Sequence, residues 1–313
     1  MGHSAENKQI IKELRIMSRR IMLIPIGFDV GLTSVSLGLI HAFIRKGGQA
    51  TLFKPISQKE DLNSLANKTD ETVGSHKLAP NSIPLAEVEE KISDGLYESV
   101  LEDIVANFES IDNPNQVTVI EGLIPTLKQT YAGRINRDVA RALSADIVFV
   151  TTVDNESQEA FEDRLSVAAD TYGGTKNKRV LGAVINKLNA PQQSEHGLLV
   201  SESEIERKVD PDSLSKLKLF KDISFRLLGV IPWDVDLIAP RVKDIADYLD
   251  AKVLNEGDMD HRRIRSISFC ARSVSNMVSH LTPSRLIVTP GDRTDVIVAT
   301  CLSALNGTKV GAL

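Results

Sequence analysis

Two glycines, a carboxylate and a pair of hydroxyls crowd into one turn of this chain. They are Gly27, Asp29, Gly31, Thr33 and Ser34, in the stretch IMLIPIGFDVGLTSVSLG at residues 21–38. These residue types at this spacing suit phosphate. Glycines let backbone N–H groups approach an anion and a hydroxyl can ligate Mg²⁺. In a working phosphate-binding loop, G-x-x-x-x-G-K-[ST], a lysine also neutralises the β- and γ-phosphates. That lysine is missing here. Leu32 stands in its place, Gly27 and Gly31 are only four apart, and Ile26 occupies the first-glycine position, so the loop is one residue short. The expectation is a nucleotide-binding architecture without nucleotide hydrolysis. The plainer alternative is a strand-to-helix turn in which Thr33 or Ser34 caps the helix. A helix N-terminus still attracts anions, and losing one charge-assisted contact costs about 1.5–3 kcal/mol, which leaves room for weak phosphate or carboxylate binding. Asp29, between the glycines, is expected to satisfy some loop N–H groups itself and so discourage nucleotide. Phe28 beside it could plug the pocket.

Three further positions share a placement at the end of an apolar run. Lys54, in Phe53-Lys54-Pro55-Ile56, could hold a carboxylate or phosphate; the alternative is a surface lysine with a buried stem. Glu121, followed by Gly122, suits a Mg²⁺ or water contact, or a bond to a neighbouring helix N-terminus. Asn186, followed by Lys187, could read an adenine edge or close an Asx turn. With the Gly27–Ser34 loop, these are the places where α/β sheets collect working residues, in loops at the carboxyl ends of strands.

The elements that must position them alternate. Strands are expected at 21–26, 50–54, 117–121, 147–151, 180–186 and 227–231, as short runs rich in Val, Ile and Leu. Helices are expected at 33–45, 85–108, 134–143, 158–171 and 241–249. This order implies a doubly wound α/β fold, with a mostly parallel sheet, right-handed crossovers and helices on both faces. After about residue 256 the pattern changes: strand 265–271, helix 274–280, strand 286–289, a turn Gly291-Asp-Arg-Thr-Asp295, a helix through Ser303, and a nascent strand at 308–313. In that turn Asp292 or Thr294 is expected to cap the next helix.

Bulk properties narrow the class. The 313 residues are 42% hydrophobic and 25% charged, as in a soluble globular protein. A net charge of −5 without a basic stripe argues against nucleic acid, and no apolar run approaches a membrane span. Cys270 and Cys301 form no C-x-x-C pair, so no thiol-based metal site is expected and a reducing cytoplasm is the simplest home. With 4% aromatics, a base-stacking platform is not expected. Residues 1–16, with charges inside their apolar stretch, do not make a secretory signal and read as a mobile leader or extension.

In this order the runs FKPI, DIVANF, VIEGLIPT, ADIVFV, GAVINKLNAP, LGVIPWDVDLIA and NEGDMDHRRIRSISFCARS are informative beyond their chemistry. Together with the loop they resemble the dethiobiotin-synthetase-like branch of P-loop proteins. The chain is most similar to the N-terminal region of long-form bacterial phosphate acetyltransferases, and the resemblance extends from Met17 to Leu313. It implies that Thr33 and Glu121 match metal-binding positions, Lys54 a substrate-handling lysine and Asn186 a base contact, while Leu32 departs from the pattern. GDRTDV resembles the start of a DRTGG signature, with Asp295 where glycine is expected.

The implied organisation is an extension at 1–16, a dethiobiotin-synthetase-like domain at 17–255 and a partial DRTGG-type domain at 256–313. The resemblance further implies a regulatory and assembly region of an enzyme that moves acetyl between coenzyme A and phosphate. The catalytic C-terminal domain is then expected to lie outside this sequence and to be its partner, in a homo-oligomer. No cofactor is required on this reading, although weak nucleotide or metabolite effector binding is compatible with it. The alternative is an ATP-dependent ligase or NTPase of the dethiobiotin-synthetase type with a degenerate loop.

Overall fold

Val, Ile, Leu and Phe fill successive positions of the central runs, so both faces of each strand are apolar and a sheet covered on both sides is the stable outcome. A computed structural model of the chain describes residues 20–58, 82–113, 115–125, 131–153, 156–190, 209–221, 223–234, 236, 239–270, 273–278 and 281–313. The expected extension at 1–16 lies outside these residues. The chain divides into two units, Met1–Trp233 and Asp234–Leu313.

In the first unit, β1 (Arg20–Ile26) leads through the glycine loop into α1 (Leu32–Arg45), and β2 (Gln49–Phe53) follows. A short parallel pair, β3 (Ile56–Ser57) with β4 (Ile83–Pro84), precedes α2 (Leu85–Ser93) and α3 (Tyr97–Glu109). Then come β5 (Gln116–Glu121), α4 (Ala132–Ala142), β6 (Asp146–Thr151), α5 (Gln158–Asp170), β7 (Val180–Leu188), α6 (Pro211–Ser215) and β8 (Arg226–Pro232). Six strands form one parallel sheet in the order β2-β5-β1-β6-β7-β8.

Strand alternation sorts the core into two layers. Ile21 and Leu23 of β1 face α1, where they meet Leu32, Val35, Ile40 and Phe43. Met22 and Ile24 face the other way, into a larger cluster with residues of α2, α3, α4 and α5. Phe53 and Phe108 meet edge to face there, with centroids 5.4 Å apart. The single helix expected at 85–108 is thus two helices that pack on the sheet. Gly95, at φ 75°, turns the chain between them and donates its N–H to Ile92 O.

In the second unit, α7 (Val242–Tyr248) is followed by β9 (Ser266–Phe269), α8 (Val274–Met277), β10 (Arg285–Val288) and α9 (Thr294–Leu305). β9 and β10 pair in parallel, and Cys270, Met277, Leu281, Ile287, Val296 and Val310 form the core. The sequence places a boundary at 255/256, whereas the compact units part after Trp233. The reason is visible in the backbone. Arg241 bridges Arg263 antiparallel, Val242 N–H donates to Arg262 O at 2.9 Å and Ile264 N–H to Pro240 O at 2.9 Å, so α7 is tied to the small unit. The strand expected at 308–313 is reduced to one bridge, between Ala312 and Leu286. α9 starts after Arg293 without a side-chain cap, so neither Asp292 nor Thr294 caps it. Ala271 and His280, the expected ends of a strand and a helix, fall outside the described residues.

Candidate functional site

The loop between β1 and α1 turns on left-handed residues: Gly27 at φ 114°, Asp29 at 48° and Gly31 at 71°. Gly31 is the N-cap of α1, and no side chain caps the helix, so the role expected for Thr33 or Ser34 is not taken. Gly31 is required there by space as well as by angle, because a Cβ at this position would sit 2.6 Å from Asn186 Nδ2. Leu32, the first helical residue, is 3% exposed and belongs to the core cluster on the α1 side. The position where a phosphate-binding lysine would stand therefore aims into the core rather than into the crevice. Phe28 is 57% exposed.

Glu121 is the centre of the site. It ends β5, which neighbours β1, and its side chain is only 2% exposed. Thr33 Oγ1 donates to Glu121 Oε2 at 3.4 Å, and Lys54 Nζ stands 3.7 Å from the same oxygen. Among the described residues, Glu121 Oε1 is buried with no hydrogen-bond partner. The carboxylate lines a small cavity, shared with Met22, Pro55, Ile56, Leu123 and Asn136, with room for about one water. Asn136 of α4 holds the segment that follows β5: its Nδ2 donates to Leu123 O at 2.8 Å and its Oδ1 accepts from Leu123 N–H at 2.6 Å. A carboxylate with one oxygen unpaired in a buried site is costly, so Glu121 is the residue around which the candidate site is built.

Asn186 and Lys187, at the end of β7, close over the loop from the other side. Asn186 Nδ2 donates to Val30 O at 2.8 Å. Lys187 Nζ donates to Asp29 O at 2.7 Å and pairs with Asp29 Oδ2 at 2.8 Å. Asp29 was expected to satisfy loop N–H groups; its carboxylate instead turns outward to this lysine. Below the loop, Arg164 of α5 donates through Nη1 to Thr151 Oγ1 at 2.8 Å and to Ile26 O at 3.3 Å, fastening the ends of β1 and β6 together.

The structure brings Thr33, Lys54 and Glu121 together, and Gly31 and Asn186 together. Gly27 and Ser34 contribute backbone shape and an exposed hydroxyl. Sequence reading missed Asn136 and Arg164, and it named Lys187 beside Asn186 without giving it a role. For Lys187 a signal existed, since it follows Asn186 at a strand end; Asn136 and Arg164 sit inside ordinary amphipathic helices and carry no local mark. Chemically, the site offers uncapped N–H groups at the start of α1, one ammonium (Lys54) and one buried carboxylate. Among the described residues no group of three or more His, Cys, Asp or Glu could hold a metal ion.

A family model described as AAA domain matches residues 19–241, and one described as DRTGG domain matches residues 244–310. Phosphate acetyltransferase from Salmonella typhimurium is 40% identical over 302 residues, which is 95% of this chain and 42% of that protein. The Escherichia coli enzyme of the same name is 39% identical over 303 residues, with the same coverage. The chain thus spans well under half the length of these relatives and is homologous to their N-terminal part. Among solved structures, a nucleotide-binding protein from Archaeoglobus fulgidus in complex with ADP superposes with a TM-score of 0.40 at 16% identity, covering 74% of this chain and 88% of that one. That likeness is too loose to carry an argument.

Proposed function

The chain belongs to the family whose AAA domain model matches residues 19–241, and from that membership we propose that it acts as the regulatory and assembly region of a phosphate acetyltransferase. Its task is to bias a catalytic region that relatives carry in the rest of their length, where acetyl is exchanged between coenzyme A and phosphate. The observation that carries this reading is Leu32, buried in the core at the lysine position. With no loop lysine, and Lys187 tied to Asp29, the residues do not fit a γ-phosphate, and no step of catalysis is assigned to a nucleotide. The uncapped start of α1, with Lys54 beside it, supports weak binding of an anionic metabolite. Such binding regulates only if the ligand prefers one state of the assembly over another. The family's chemistry and the two free cysteines support a cytoplasmic home; a homo-oligomer is part of the same proposal.

A second reading, an ATP-dependent ligase or NTPase, is favoured by one observation: Thr33, Lys54 and Glu121 still converge. Calorimetric titration with MgATP separates the two. Binding weaker than about 100 μM without phosphate release supports the regulatory reading, and tight binding near 1 μM with turnover would replace it. Incubation with acetyl-CoA and phosphate is expected to yield no acetyl phosphate; appreciable turnover would show that the chain holds the catalytic machinery itself.

A further inference from the structure

Among the described residues, the polar side chains around Glu121 leave its Oε1 without a partner. Thr33 Oγ1 and Lys54 Nζ both approach the other oxygen, Oε2, at 3.4 and 3.7 Å. Asn136, which lines the same cavity, spends both ends of its amide on the Leu123 backbone. At 2% exposure the side chain is out of reach of bulk water. A buried acceptor in this state calls for a donor from outside the chain. The cavity has room for about one water, and an ammonium group is of similar size.

The start of α1 is open in the opposite sense. The first N–H groups of a helix have no intrahelical partner, and no side chain caps them here. Asp29, the acid of the loop, is held by Lys187 instead. The positive end of a 14-residue helix is therefore free to take an anion. Thr33, in the first turn of α1, and Lys54 reach the same Glu121 oxygen. The free N–H groups, one ammonium and one orphan carboxylate oxygen thus border a single spot.

We infer that the ligand of this spot is a small zwitterion, an amino acid. Its ammonium group bonds Glu121 Oε1, and its carboxylate takes Lys54 and the start of α1. The inference rests on the effector-binding reading above and names the class of ligand. Charge decides against the alternatives. Lys54 is already balanced by Glu121, so phosphate or a plain carboxylate would set excess negative charge against a buried carboxylate. A divalent cation would meet one carboxylate with a lysine beside it, and among the described residues no further acids gather to hold a metal. An amino acid adds one charge of each sign and leaves the pair neutral. A lone water would satisfy Oε1 but leave the start of α1 unserved.

Calorimetry on the full chain tests this with three probes: L-alanine, propionate (alanine without its ammonium group) and inorganic phosphate. Alanine is expected to bind with a dissociation constant on the order of 1 mM, and the other two about ten-fold or more weaker. Glu121→Gln should erase that preference and bring alanine down to the level of propionate, with the thermal midpoint showing that the variant is folded. Propionate or phosphate that binds the parent chain as tightly as alanine would overturn the zwitterion and leave an anionic effector standing. A preference for alanine that survives Glu121→Gln would take the ammonium away from Glu121 and overturn the inference. No binding by any probe up to about 20 mM would leave Oε1 to a water, and would overturn the inference and the effector reading together.

Discussion

Asp29 and Lys187 lie on segments far apart in the chain, share the left-handed conformation at φ 48° and 53°, and are joined by an ion pair of 2.8 Å and a lysine-to-carbonyl bond of 2.7 Å. Two non-glycine residues in this region, one in the β1–α1 loop and one near the end of β7, store backbone strain. The loop is held from β7 rather than by its own sequence.

That clamp has a strong and a weak half. Asn186→Ala leaves the Val30 carbonyl without its partner and is expected to cost about 1–3 kcal/mol. Lys187→Met removes a largely exposed ion pair and should cost about 1 kcal/mol or less. Urea unfolding of the two variants checks the order, and hydrogen exchange at residues 27–31 should quicken in both.

Restoring the missing lysine should not restore nucleotide chemistry. Leu32→Lys puts an ammonium at a position that packs in the core, and a loss of about 2 kcal/mol or more is expected. If the variant is as stable as the parent and gains ATP affinity by titration, the inward placement of residue 32 is wrong.

Glu121→Gln is expected to behave in the opposite sense. A neutral amide is cheaper to bury than a half-paired carboxylate, so the thermal midpoint should stay or rise, while an anionic ligand held by Lys54, no longer facing a carboxylate, should bind as well or better. A loss above about 1 kcal/mol would instead make the Lys54–Glu121 pair structural.

A pH signature belongs to α3 and α4. Tyr97 Oη donates to Asp138 Oδ2 at 2.8 Å, and the Arg134 guanidinium lies 4.7 Å from the centre of the Tyr97 ring. Burial pushes the Asp138 carboxyl up, but the bond from Tyr97, then Arg137 and the charge of Arg134, outweigh it and hold the group below its usual 3.8. A depressed carboxylate contributes stability that is complete above its unfolded value and is lost as pH falls through its folded value. Tyr97→Phe is therefore expected to cost about 1 kcal/mol at neutral pH, and that difference should shrink below about pH 3.8. Burial also raises the Tyr97 hydroxyl well above its ordinary range, so the phenol stays protonated throughout.

The strands were legible because a parallel sheet buried on both faces writes itself as unbroken apolar runs, as at β1 and β6. The positions of Lys54, Glu121 and Asn186 followed from where those runs stop. What the residues do there was not legible. Asn186 spends its amide on Val30, more than a hundred residues away in sequence, and Asp29 turns to Lys187 rather than to its own loop. Such partnerships depend on strand order, which periodicity does not encode. Gly95 was a visible break that a long amphipathic pattern outweighed.

The junction after Trp233 has a meaning for descent. Trp233 N–H still donates to Leu188 O at 2.8 Å, closing the large sheet, while the bridge from Arg241 to Arg263 already belongs to the small unit. A recombination point falling between these two residues passes on both cores whole. One falling near residue 255 would strand α7 with the wrong neighbour. The places where such a gene can be shuffled and still encode a folded chain are thus set by a few backbone bonds, and they need not coincide with where the composition changes.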